Sequence, residues 1–158
     1  MNQGVEWAVH VLLSLSWWDG DEPVSTSVLA KNFDLPPAYL NKQLQALTRA
    51  GLLESLPGAR GGFRLARPAD KITLMDVVTA IEGPEHAFRC TEIRRNGAGG
   101  SGPARFFEEA CAVTTSMRRA ELAWRKALAA QTIADVGAEA EAHAPGLAEY
   151  SRRGAPVR

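Results

Sequence analysis

Two pairs of side chains in this sequence could take part in metal or redox chemistry. Cys90 and Cys111 are the two cysteines of the chain, 21 positions apart. In a reducing compartment two isolated thiols serve either as small apolar fillers or as ligands, and they are too few for a secreted disulfide scaffold. Glu6 and His10 stand four positions apart in a stretch of helical spacing, so both project from one face about a turn from each other. A carboxylate and an imidazole can ligate iron, and joined to two thiolates they also suit tetrahedral zinc. Structural roles are open to the same residues: His10 as a hydrogen-bonded core histidine, Glu6 as a favourable charge at a helix N-terminus, Cys111 as a small core residue among alanines. No nucleophile, base and acid set stands out. The glycine-rich stretch from Asn96 to Gly102 lacks the lysine and hydroxyl pattern of a phosphate-binding loop, so the chain is not read as an enzyme.

The elements that must position these residues follow from periodicity. Val5, Ala8, Val9, Leu12, Leu13 and Ser16 mark a first helix over 5–17, stopped by Asp19, Gly20, Asp21 and Pro23. Ser25 caps a short helix through Asn32, and Phe33 to Pro36 form a tight turn. Pro36 and Pro37 restart a helix that buries Leu40, Leu44 and Leu47 and ends before Gly51. Two helices joined by a tight turn, the second with a polar outer face, make a helix-turn-helix. Leu52 to Leu56 and Phe63 to Ala66 read as the strands of a hairpin whose turn holds Gly58, Gly61 and Gly62, with Arg60 near its tip. The expected fold class is mainly α with a small β-wing: a winged helix-turn-helix domain plus a long dimerisation helix.

The formal net charge is zero, yet its distribution is uneven. From Lys31 to Lys71 there are seven cations (Lys31, Lys42, Arg49, Arg60, Arg64, Arg67, Lys71) and three anions (Asp34, Glu54, Asp70), a local balance of +4. A basic module on a neutral chain is the footprint of a protein that meets phosphate with one face. The candidate contacts to double-stranded DNA are Ser25, Tyr39, Asn41, Lys42, Gln43, Gln45, Arg49, Arg60 and Gly61, the helix facing the major groove and Arg60 the minor groove.

Beyond the hairpin, Thr73 caps a helix over 74–81 that ends at Gly83-Pro84. Residues 85–105 read as an irregular sensor loop and 106–135 as the dimerisation helix. Its stripe, Phe106, Ala110, Val113, Met117, Ala120, Trp124 and Ala127, repeats every 3.5 residues on average, the period of a helix pair. Met117 and Trp124 are therefore expected at a homodimer interface. Residues 136–158, rich in Ala, Glu, Gly, Pro and Arg, read as a flexible tail, leaving residues 1–84 as the DNA-binding domain. No apolar run reaches the roughly 18 residues of a membrane helix, and the N-terminus lacks a basic region and cleavage site, so no membrane partner and a cytoplasmic location are expected.

Several segments resemble the Rrf2 family of regulators: Val28 to Asn32, Tyr39-Leu40, Leu47 with Ala50 to Leu52, the hairpin from Gly58 to Pro68, and Ile72 to Val78. The resemblance runs over residues 1 to about 135 and is most specific in the hairpin. It implies a dimeric winged-helix protein with an iron–sulfur site between the last helix of the DNA-binding domain and the dimerisation helix. Many members ligate a cluster through three cysteines before the long helix, whereas this chain keeps two, and a cluster needs four ligands. The set Cys90, Cys111, Glu6 and His10 is similar to that of the redox-sensing RsrR-type branch, in which two cysteines, a histidine and a glutamate hold a 2Fe–2S cluster. That likeness implies that the first helix of one subunit faces the thiols of the other, with Trp7, between the two ligands, expected to be redox-coupled. The implied function is a DNA-binding transcription repressor switched by the redox state or presence of the cluster. The alternatives are an Rrf2-type regulator with zinc or no cofactor there, and an iron–sulfur electron carrier that does not bind DNA.

Overall fold

The structure, a computed structural model, describes residues 1–18, 22–58 and 60–153. The expected helix stop at Asp19, Gly20 and Asp21, Ala59 of the hairpin turn, and positions 154–158 lie outside the described residues. Seven α-helices and one two-stranded sheet are present among them, as a mainly α chain with a β-wing requires. They fall into two compact units, one formed by Met1–Pro84 with Leu128–Arg158 and the other by Glu85–Ala127.

In the first unit, α1 (Gln3–Trp17) is apolar over most of its circumference and buries Ala8, Val11 and Leu12 completely. α2 (Thr26–Asn32) starts at Ser25, whose hydroxyl accepts from the Val28 amide at 3.4 Å. A turn through Asp34, at φ +50, leads into α3 (Pro37–Arg49), which buries Leu40, Leu44 and Leu47. Antiparallel strands β1 (Leu53–Leu56) and β2 (Gly62–Leu65) form the wing, with Glu54 opposite Arg64. The wing is tied back to the core where Val24 and Phe63 exchange backbone hydrogen bonds at 2.9 Å each. That close approach requires Gly62, because a Cβ there would stand 2.4 Å from the Val24 carbonyl. α4 (Leu74–Glu82) begins with a capping box in which Thr73 and Asp76 satisfy each other's backbone amides, and it ends at Gly83 with φ +93.

Two expectations about the C-terminal half need correction. The helix expected from Phe106 begins instead at Ala112 and runs to Ala129 as α5, with a separate 3-10 turn over Ala104–Phe107. The carbonyls of Phe106, Phe107 and Glu109 accept hydrogen bonds from Arg94 and Arg95, which hold this segment in its non-α-helical path ahead of Ala112. Nor is the segment after residue 135 a flexible tail up to residue 153. α6 (Ile133–His143) starts with a second capping box, Thr132 with Asp135, and α7 (Leu147–Arg153) follows. Ile133 is fully buried in the core, and the indole of Trp18 donates to the Ser151 carbonyl at 2.9 Å. Gly137 lies against α1, where a Cβ would meet Leu13 and Trp17 at 3.2 and 3.3 Å. Thr132 also bridges to Thr73, placing the two capping boxes side by side.

If α6 belongs to the core, Ile133→Ala should destabilise the protein by about 2–5 kcal/mol, as cavity-forming truncations do. Urea unfolding would read this, and a midpoint equal to that of the parent would restore the tail to a dispensable role.

Candidate nucleic-acid interface and metal-ligand pairs

The outer face of α3 carries Tyr39, Asn41, Lys42, Gln45 and Arg49, all exposed. Gln43 departs from them: it is half-buried, with its side chain against Gly4 of α1, so it faces its own fold. Asn41 is held by Thr26, whose hydroxyl donates to its side-chain oxygen at 3.4 Å. Thr26 was missed in the sequence, although the hydroxyl run Ser25 to Ser27 was a signal for it. Ser25 itself is engaged in capping α2 and in a 2.9 Å hydroxyl contact with Ser27. Arg60 is exposed at the hairpin turn beside the half-buried Gly61.

Ion pairs sort the basic module. Arg64 is bound to Glu54 at 2.9 Å across the strands, Arg67 to Asp76 at 3.1 Å, and Lys71 to Asp70 at 3.2 Å. Among the described residues, Lys31, Lys42, Arg49 and Arg60 have no such partner. The uncompensated charge therefore lies on the helix pair and the wing turn, where a duplex would be met.

Glu6 and His10 lie exposed on α1, one turn apart, with Trp7 half-buried. The Trp7 ring meets Tyr39 edge-on at 6.3 Å, and the His10 ring lies 5.9 Å from Phe33. The α1 face that carries two candidate ligands thus touches both the helix-turn-helix turn and its second helix.

In the second unit, Cys90 is exposed and Cys111 half-buried at the start of α5. The Cys90 sulfur accepts the Glu92 amide at 3.3 Å. The Thr114 amide, assisted by the Val113 amide, the Thr114 hydroxyl and the Arg94 charge, holds the Cys111 thiol below its ordinary value against the opposing effect of burial. Among the described residues no three His, Cys, Asp or Glu side chains converge within one chain on a point that could hold a metal. The donors come as two incomplete pairs, each short of the four a cluster or structural zinc requires. Two thiols, an imidazole and a carboxylate fit either group in kind and in number, but the described residues do not bring three of them together within one chain.

Of the residues expected at a dimer seam, Met117 is 44% exposed and Trp124 half-buried, while Val113 and Leu122 are 59% and 54% exposed. Glu121 is the one buried residue of this unit among those described. Burial pushes its carboxyl up, but Arg125 at 2.8 Å, the Ala87 amide and His86 outweigh that and hold it below the usual range. No described helix is long and apolar enough to cross a membrane.

Comparison with known proteins places these features in a family. The profile described as "Rrf2: Iron-dependent Transcriptional regulator" matches residues 1–139. YwgB of Bacillus subtilis, named provisionally as an HTH-type transcriptional regulator, is 43% identical over 83 residues, 52% of this chain and 53% of that protein. The HTH-type transcriptional regulator IscR of Cereibacter sphaeroides is 37% identical over 90 residues, 57% of this chain and 54% of its own length. The chain thus spans about half the length of these two relatives. A longer match is the aau3 protein of Rhizobium meliloti, 30% identical over 136 residues, covering 86% of this chain and 83% of that one. The solved IscR of T. potens shares the fold with a TM-score of 0.68 at 22% identity, over 91% of this chain and 90% of its own.

The lowered Cys111 thiol has a pH signature. A depressed pKa keeps the thiolate populated as pH falls, so in a Cys90→Ala background the alkylation rate of Cys111 should reach its half-maximum below the roughly 8.5 of a free cysteine. Mass-spectrometric rates between acid and alkaline pH would show this. A midpoint at or above the free-thiol value would mean that the α5 amides do not reach the sulfur.

Proposed function

The chain belongs to the Rrf2 family of transcriptional regulators, and on that premise we propose that it is a homodimeric DNA-binding repressor whose operator affinity answers to a 2Fe–2S cluster shared by its two copies. Cys90 and Cys111 of one copy and Glu6 and His10 of the other are its ligands. The observation that carries this reading is the division of the donors into two accessible pairs, neither of which has a third partner within one chain. The iron dependence named in the family description supports iron over zinc. The stripe expected along α5, of which Val113 and Met117 are exposed, lies on a unit that buries no apolar side chain among those described, and this supports pairing through α5.

A cluster ligated in this way supplies a one-electron change, at a potential raised by imidazole in place of thiolate. The protein's own residues relate that site to DNA. Trp7, between the two α1 ligands, rests on Tyr39 of the DNA-facing helix, so a change in the packing of Trp7 is passed to α3. In a dimer the two copies of α3 must stand one turn of B-DNA apart, roughly 34 Å, or a multiple of it. Lys31, Lys42 and Arg49 hold phosphate or bases beside the major groove, and Arg60 enters the minor groove.

Gel-shift titration of oxidised, reduced and cluster-free protein against one pseudo-palindromic operator tests the switch. Affinity should differ between states by more than about tenfold, equivalent to about 1.4 kcal/mol of coupling. Equal affinity in all three would remove the sensing role. Arg60→Ala should weaken binding by about 1–3 kcal/mol and flatten the salt dependence. Trp124→Glu should give a monomer in sedimentation. Neither a Cys90→Ala, Cys111→Ala chain nor a Glu6→Ala, His10→Ala chain should hold iron alone, yet a mixture of them should regain visible absorption. A mixture that stays colourless would sink the shared site.

A further inference from the structure

The segment between Cys90 and α5 carries a guanidinium to which the reading above gives no role. Arg94 forks between two stretches of chain. On one side its Nη2 donates to the Glu92 carboxylate at 3.0 Å; on the other, Nη2 reaches the Glu109 carbonyl at 3.2 Å and Nη1 the Phe106 carbonyl at 3.3 Å. Glu92 in turn gives its backbone amide to the Cys90 sulfur at 3.3 Å. A continuous run of hydrogen bonds therefore leads from the Cys90 thiol through Glu92 and Arg94 to Glu109, two residues before Cys111.

Backbone conformation points to the same place. Glu92 sits at φ +53, a left-handed geometry that a residue with a Cβ keeps only when its surroundings fix it, and such positions concentrate at functional sites. At this position the Glu92 carboxylate is held by a two-pronged pairing with Arg94. Both thiols also lie within electrostatic range of the Arg94 charge.

We infer that Arg94 is a positioning residue: it fastens the Cys90 segment to the start of α5, so that the two thiols stand as a preassembled half-site with a fixed positive charge beside them. This rests on the proposed role of the thiols as ligands. Preassembly lowers the ordering cost of taking up an inorganic group. A cation beside an electron-accepting centre favours the more negative, reduced state. Lysine would keep the charge but cannot fork between a carboxylate and two carbonyls.

The test begins with the full-length, cluster-free protein and dibromobimane, which becomes fluorescent on bridging two neighbouring thiols. The parent chain should crosslink Cys90 to Cys111 within one chain, and Arg94→Gln should fall to background. Glu92→Ala removes the acceptor that Arg94 grips at the other end of the link and should also lose the crosslink. Arg95→Gln, which removes a donor to Phe107 outside that run, should keep it, and circular dichroism checks that each variant is folded. In cluster-loaded protein, Arg94→Gln should shift the reduction potential downward and Arg94→Lys should hold it near the parent value while still failing to crosslink. Crosslinking of Arg94→Gln at the parent level, or none in the parent, would overturn the preassembled pair. An unchanged potential in loaded Arg94→Gln would overturn the electrostatic role. A parent chain that crosslinks but takes up no iron defeats the cluster and leaves the positioned thiol pair standing.

Discussion

Helix α1 has too much apolar surface to lie on the outside of anything, and its burial is the interaction on which the first unit depends. Val11 and Leu12 are fully enclosed, each contributing about 1.5–3 kcal/mol on removal from water. α3, α4, α6 and α7 all pack on α1, so the helix-turn-helix and the C-terminal helices share one support. The same helix has an exposed strip, occupied by Glu6 and His10, and an edge where Trp7 meets Tyr39. Side chains on a buried strut cannot shift without disturbing what rests on the strut. If Glu6 and His10 are ligands as proposed, α1 would join their cofactor to α3.

Charge is arranged by local pairing rather than by composition. A chain of zero net charge keeps a basic face because Glu54, Asp76 and Asp70 pair with cations of β2 and of the segment after it and leave those of the helix pair and the wing turn without an ion-pair partner among the described residues. The strand register decides one of these pairings, since Glu54 stands opposite Arg64. A register slip of one residue would put the two on opposite faces of the hairpin and break the pair.

The second unit is organised by opposite means. It encloses no apolar side chain among the described residues, and its internal order comes from Glu121 with Arg125, and Arg94 with Glu92 and the carbonyls ahead of α5. Polar contacts of this kind give direction but little net stability, because water competes for each of them. A unit so built leaves the Val113 and Met117 side chains and the Cys90 thiol exposed and the Cys111 thiol half-exposed.

Local chemistry was enough to read the helix-turn-helix, the wing and the Thr73 cap from the sequence, because the leucines at 40, 44 and 47, the prolines before them and the glycines of the hairpin act within a few residues of themselves. The Thr132 to Asp135 capping box was equally legible and was obscured by the alanine- and glutamate-rich composition that follows, which reads as a frayed end until Ile133 is seen in the core. Other features could not be read along the chain. The stripe from Phe106 has helical period, yet α5 begins only at Ala112, and the carbonyls ahead of it meet two arginines more than ten residues upstream. Gln43 belongs by spacing to the outer face of α3, but it rests on Gly4, nearly forty residues away. Spacing reports which side of its own helix a residue occupies, while its neighbours are chosen by whatever the fold brings against that side, and only the tertiary structure holds that information.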